Sequence, residues 1–228
     1  MSDQPSQPPD AGSTAYLFTL RGTPKPPSLD ATAKVHNSTA GTPPAIAAAR
    51  SFGDLSHNVF SAVDGPEILI IDFWNSLTGL GQFFSNPDVQ GGADMLFTER
   101  DATVWAPTTG YGDFHLLSPS EAAVSAVGVM RVNVTSFDAA ATAFNSYAAA
   151  TVNEARLQGI VSHTTWTRVP NPGEPPTSEV LGLDFWLDAK NMEVYYDRGL
   201  GFDVLGPVFA GPPATSTWSV APGEWSEW

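Results

Sequence analysis

The residues best suited to chemistry in this sequence are two histidines and two aspartates in matching surroundings. His57 precedes Asp72 and Trp74, and His163 precedes Asp184 and Trp186. A carboxylate beside an imidazole fixes its tautomer and raises its pKa, which makes the ring a better general base near neutral pH. Such a base can take a proton from an acidic phenol or a 1,3-dicarbonyl compound. Arg21, Arg131 and Asn133, with Thr19, are candidates to hold the oxyanion that results, and the indoles of Trp74 and Trp186 are candidates to hold its rings. The plain alternative is that the pairs are cross-strand ion pairs and the two tryptophans are core.

The matching surroundings extend beyond these residues. Glu67–Trp74 shares five of eight positions with Glu179–Trp186, and Arg50–His57 shares four of eight with Arg156–His163. The aromatic pair Phe83-Phe84 corresponds in order to Tyr195-Tyr196. Blocks recurring in one order indicate a duplicated unit. The second copy spaces its blocks more widely because of the Pro/Gly-rich segment Val169–Pro176.

The elements of one unit follow from period and caps. Ala126–Val134 alternates as a strand. Ser136 is placed to cap a helix of five or six turns that ends at Gly159. Val161–Val169 and Ser178–Trp186 read as a hairpin, Asp188 caps a helix through Tyr196, and Ala214–Val220 closes the unit. The first copy repeats this with a strand at Tyr16–Arg21, strands at Leu55–Val63 and Glu67–Trp74, a helix at Leu77–Phe84 and a strand at Thr103–Pro107. Its first helix ends near Gly53, and Gly41-Thr-Pro-Pro44 must break it or start a second segment, with Pro44–Arg50 as the ordered part. Residues 1–13 read as a disordered tail, 14–112 as the first repeat, 113–123 as a connector and 124–228 as the second repeat.

Asp64-Gly65 is a two-residue hairpin signal, and a turn there sets His57 directly opposite Asp72. If the helices cover the face of Leu69, Ile71 and Phe73, the pair and Trp74 point the other way, into a lumen between two sheets. His36 and His115 fall in loop-like sequence and read as surface residues, and Tyr195 and Tyr196 read as structural.

The expected fold class is α+β, with two tandem ferredoxin-like βαββαβ repeats packed sheet to sheet. This order, with the strand–Trp–helix passages at Asp72–Phe84 and Asp184–Tyr196, resembles the dimeric α/β barrel superfamily, in particular its antibiotic-biosynthesis-monooxygenase-like (ABM-like) members. The resemblance implies an intramolecular dimeric α/β barrel, either a monomeric pseudo-dimer or a homodimer. It also implies a cofactor-independent monooxygenase acting on an aromatic or polyketide-like substrate, with His57 or His163 as base. Haem binding through either histidine is a known alternative in that superfamily. A non-catalytic protein that binds a hydrophobic ligand, or a paralogue with a packed lumen, is the other reading.

Composition narrows the field. No cysteine is present, so thiolate chemistry, disulfides and iron–sulfur clusters are excluded. A formal charge of -14 argues against nucleic acid and anionic membranes as partners. No signal peptide or membrane-length apolar run is evident, so the expected location is cytoplasmic. Walker A, Gly-x-Gly-x-x-Gly and Gly-x-Ser-x-Gly motifs are absent, and the histidines lack the clustered spacing of a metal motif, so no metal is expected.

Overall fold

A computed structural model of the chain describes residues 15–108, 110–116, 123–199 and 202–228. The expected tail at 1–13 lies outside these residues, as does part of the expected connector. The fold is α+β and divides into two compact units, one joining Val220–Trp228 to the residues up to Val104, the other running Trp105–Ser219. No helix among the described residues is long and apolar enough to cross a membrane.

The first unit contains β1 (Tyr16–Pro24), α1 (Leu29–Thr39), α2 (Pro43–Ser51), β2 (Asp54–Ala62), β3 (Ile68–Trp74), α3 (Leu77–Phe84), α4 (Pro87–Leu96) and the first part of β4 (Phe97–Pro107). Its strands lie in the order β4-β1-β3-β2. Gly41-Thr-Pro-Pro does break the helical stretch, but a full helix stands on each side of it. Ser28 caps α1 by accepting from Ala31, and Thr42 caps α2 with prolines in its first turn. Helix α4 and the early part of β4 were not expected from the sequence.

The second unit contains β5 (Phe114–His115), β6 (Ala126–Asn133), α5 (Phe137–Leu157), β7 (Ile160–Arg168), β8 (Glu179–Trp186), α6 (Ala189–Asp197), the short α7 (Phe202–Leu205) and β9 (Ala214–Val220). Its strand order, β9-β6-β8-β7, is that of the first unit position for position. The last residues of β4, Trp105–Pro107, pair with β7 here.

One geometric expectation is reversed. Helices of the first unit cover the face of β1 and β3 that carries Phe18, Leu20, Ile68, Ile70 and Trp74, where they share a core with Ala49, Leu80 and Leu96. Asp72 is on this face, so the His57–Asp72 pair looks toward the helices and away from Leu69, Ile71 and Phe73. The reason is physical: every residue of β3 is buried. A strand apolar on both faces has no polar side to mark which one the helices take.

Candidate functional site

The hairpin register is the one that Asp64-Gly65 predicts. His57 pairs with Asp72 across β2 and β3, and a bulge between Asp54 and Ser56 turns the strand just before it. In the second unit His163 pairs with Asp184, again just after a bulge, between Ile160 and Ser162. The longer Pro-rich loop therefore leaves the register intact.

In the first unit, His57 Nδ1 lies 2.8 Å from Asp72 Oδ1, and both side chains are buried. They stand on the wall of a cavity of about 540 Å³ between the sheet and the four helices. Phe18, Phe83, Phe84 and Trp74 make its aromatic wall, and Ala45, Ala48 and Ala49 of α2 leave the space open. Trp74 is itself buried, and its indole N–H has no hydrogen-bond partner. No lysine or arginine is among the residues that line the cavity.

Three contributors were missed from sequence. His36, read as a surface residue, is buried on α1 with 1% exposure, and its Nε2 lies 2.8 Å from His57 Nε2. Its signal was available, since Leu29, Ala33 and His36 keep helical spacing behind the Ser28 cap. Trp228 stacks on the His57 ring at 4.4 Å, its main chain pairs with that of His57, and its indole N–H donates to Asp54 Oδ2 at 2.8 Å. Asp54 lines the cavity too, and its Oδ1 has no partner. Nothing local in the sequence marks these last two, because Trp228 reaches β2 from the far end of the chain.

Burial sets the electrostatics. It lowers the His36 pKa to about 3, helped by the like charge His57 would carry. It lowers His57 to about 4, against the pull of the Asp54 and Glu227 carboxyls. It raises Asp72 well above the carboxylate range and Asp54 to about 8, the latter with help from Asp72. The site therefore favours uncharged groups.

In the second unit a tyrosine hydroxyl reaches the corresponding aspartate. His163 Nδ1 lies 2.5 Å from Asp184 Oδ1, while Tyr196 donates its hydroxyl to Asp184 Oδ2 at 2.6 Å and accepts from the Trp186 indole at 3.3 Å. Phe114 and Phe144 flank the His163 ring. Burial acts to lower the His163 pKa, but the Asp184 carboxylate, with Asp113, holds it above its usual value.

The other expected ligand-holding residues lie elsewhere. Arg21 makes a two-pronged pair with Glu67 and sits opposite Leu69, on the face turned away from the cavity. Arg131 bonds Glu179 at 2.8 Å and lies over the Trp105 ring, and Asn133 takes the Ser178 hydroxyl at 3.5 Å. Both alternate away from the Gly128–Asp184 face that carries His163. Strand alternation placed them with Leu69 and Leu181, so none joins a histidine–aspartate pair.

Haem would need a histidine nitrogen free to reach iron. His57 has Nδ1 on Asp72 and Nε2 on His36, and His163 is held by Asp184 between two phenylalanines. His57 therefore does not fit axial ligation, whereas Asp184 occupies only Nδ1 of His163, whose Nε2 lies 3.5 Å from the Thr165 hydroxyl. Among the described residues no group of histidines and carboxylates is placed to hold a metal ion.

No protein-family model and no curated protein matches the sequence. Solved structures do match. An anthrone oxidase-like protein aligns over 91% of this chain and 91% of its own, with a TM-score of 0.64 and 16% identity. A putative monooxygenase from Lactobacillus acidophilus aligns over 90% of this chain and 93% of its own (TM-score 0.52, 10% identity), and a mutant chlorite dismutase from Candidatus Nitrospira defluvii over 91% and 92% (TM-score 0.55, 9% identity). The resemblance to the dimeric α/β barrel proteins is thus a likeness of fold.

Proposed function

We propose that the chain is a small-molecule enzyme of the monooxygenase type, acting on an aromatic or polyketide-like compound in the cavity of the first unit. The observation that carries this reading is the cavity itself, which is of ligand size, walled by aromatic and aliphatic side chains, and bears one buried histidine–aspartate pair. The fold-level likeness to an anthrone oxidase-like protein and to a putative monooxygenase agrees with it. The matching strand orders, bulges and pairs support a further part of the reading, that the two units are tandem ferredoxin-like copies.

In this mechanism the His57–Asp72 pair takes a proton from the CH2 of an anthrone-like ketone. The carbanion passes its electrons to dioxygen and a C–O bond forms. Loss of the second C–H with cleavage of the O–O bond gives the quinone carbonyl, and the stored proton returns to the departing hydroxide as water. No lysine or arginine lines the site, so it favours a neutral ligand over a carboxylate.

The test is oxygen uptake by the purified chain with 1,8-dihydroxyanthrone, followed alongside quinone absorbance. One oxygen consumed per quinone, with no added cofactor, is the expected result. Uptake no faster than the protein-free background, for anthrones, naphthols and 1,3-dicarbonyls alike, would overturn the reading.

A further inference from the structure

At the 2.8 Å separation of His36 Nε2 and His57 Nε2, one nitrogen must carry a proton and the other must not. The hydrogen bonds around them decide how many protons the group holds. Asn37 Oδ1 accepts from the Ser226 N–H at 2.9 Å, and Asn37 Nδ2 donates to the Glu224 carbonyl at 2.8 Å, which fixes which end of the amide is which. His36 Nδ1 lies 3.0 Å from that same Oδ1, an acceptor only, so it bears a hydrogen. His57 Nδ1 and Asp72 Oδ1 share one further proton. Three protons on two imidazoles and a carboxylate make a set of zero net charge, the state that burial favours.

We infer that Asp72, His57 and His36 form one neutral array in which Asp72 Oδ2 takes the substrate proton and His36 is a positioning residue. This rests on the oxygenase reading for its chemistry. Both nitrogens of His57 are engaged, so the ring cannot meet a ligand itself. Asp72 lines the cavity and uses Oδ1 for His57. When a substrate C–H or O–H gives its proton to Oδ2, the proton shared at Oδ1 rests on His57 Nδ1. The array is then an imidazolium beside the substrate anion, and charge balances within the cavity. The carboxyls of Asp54 on β2 and Glu227 in the C-terminal segment face His57 and favour that cation. Asp88 of α4 also lines the cavity, while α2 and α3 bring no titratable side chain to it. The C-terminal segment thus acts through Asn37 to hold the His36 tautomer.

The experiment is nitrogen-15 NMR of the histidine rings in the full chain from pH 5 to 8, without substrate. The expected spectrum has one protonated and one bare Nε2 between His36 and His57 throughout, with His36 Nδ1 protonated. A pH in that range with both Nε2 atoms bare or both protonated overturns the array, as does a His36 protonated on Nε2 alone. In His36→Phe, His57 is expected to move its proton to Nδ1, and kcat to fall about tenfold or more. His36→Gln, whose carbonyl can still accept from His57 Nε2–H, is expected to restore the original His57 signature. A His57 signature that is identical in wild type and His36→Phe overturns the positioning role. These spectra need no turnover, so an absence of oxygen uptake is a separate failure, belonging to the oxygenase reading.

Discussion

The hydroxyl of Tyr196 donates to Asp184 Oδ2 at 2.6 Å, occupying the oxygen that His163 leaves over. In the first unit the corresponding aromatic is Phe84, which has no hydroxyl and lines an open cavity instead. The two histidine–aspartate pairs therefore share a register and differ in what reaches them.

That difference predicts unequal consequences of mutation. His57→Ala is expected to lower kcat by about 10²–10³-fold, the usual scale of general acid–base catalysis, and His163→Ala to leave it within about threefold. Steady-state oxygen uptake by the two variants checks this. Equal losses would place the chemistry in both units or in neither.

Tyr196 can reach Asp184 because residue 128 is glycine. A Cβ there would lie 2.0 Å from the Tyr196 hydroxyl oxygen, well inside contact distance. Gly128→Ala is expected to drive the ring off Asp184 and destabilise the chain by about 1–3 kcal/mol. Tyr196→Phe should cost a similar amount without the clash. Urea midpoints of both variants decide it.

Stability should fall as pH rises from about 6.5 through about 8. Asp54 has its pKa raised by burial to about 8 and burial also raises Asp72 well above the usual carboxylate value, so above the ordinary carboxylate value the folded chain holds more protons than the unfolded one. Below about 6.5 the opposite pull of His36 and His57, lowered by burial to about 3 and 4, offsets this. His163, held above its usual value against its own burial by Asp184, loses its contribution in the same alkaline direction. Asp54→Asn should flatten the decline in urea midpoint between pH 6.5 and 8.5. An unchanged slope would remove Asp54 as its source.

Closing the cavity should separate binding from folding. Ala45 of α2 lines the space and is only half-buried, so Ala45→Phe can project into it without disturbing the core. The thermal midpoint is expected to stay within about 2 °C, while KM for the anthrone rises about tenfold or more. A normal KM would mean that the ligand binds elsewhere.

Much of this was written in local sequence. The Asp64-Gly65 turn sets the His57–Asp72 register, the caps at Ser136 and Asp188 start α5 and α6, and the recurring blocks point to two units with one strand order. Tertiary structure alone decided which way the pair faces, because β3 is apolar on both sides and alternation cannot choose between two buried faces. It also decided what surrounds the pair. Helical spacing marks His36 as a residue of the inner face of α1 but not that it meets His57, and Trp228 reaches the same ring from the far end of the chain with no local signal. The sequence by itself determined the histidine–aspartate pairs and set Phe84 where the second unit has Tyr196; only packing brought the Tyr196 hydroxyl onto Asp184 and put His57 and Asp72 on the wall of a cavity.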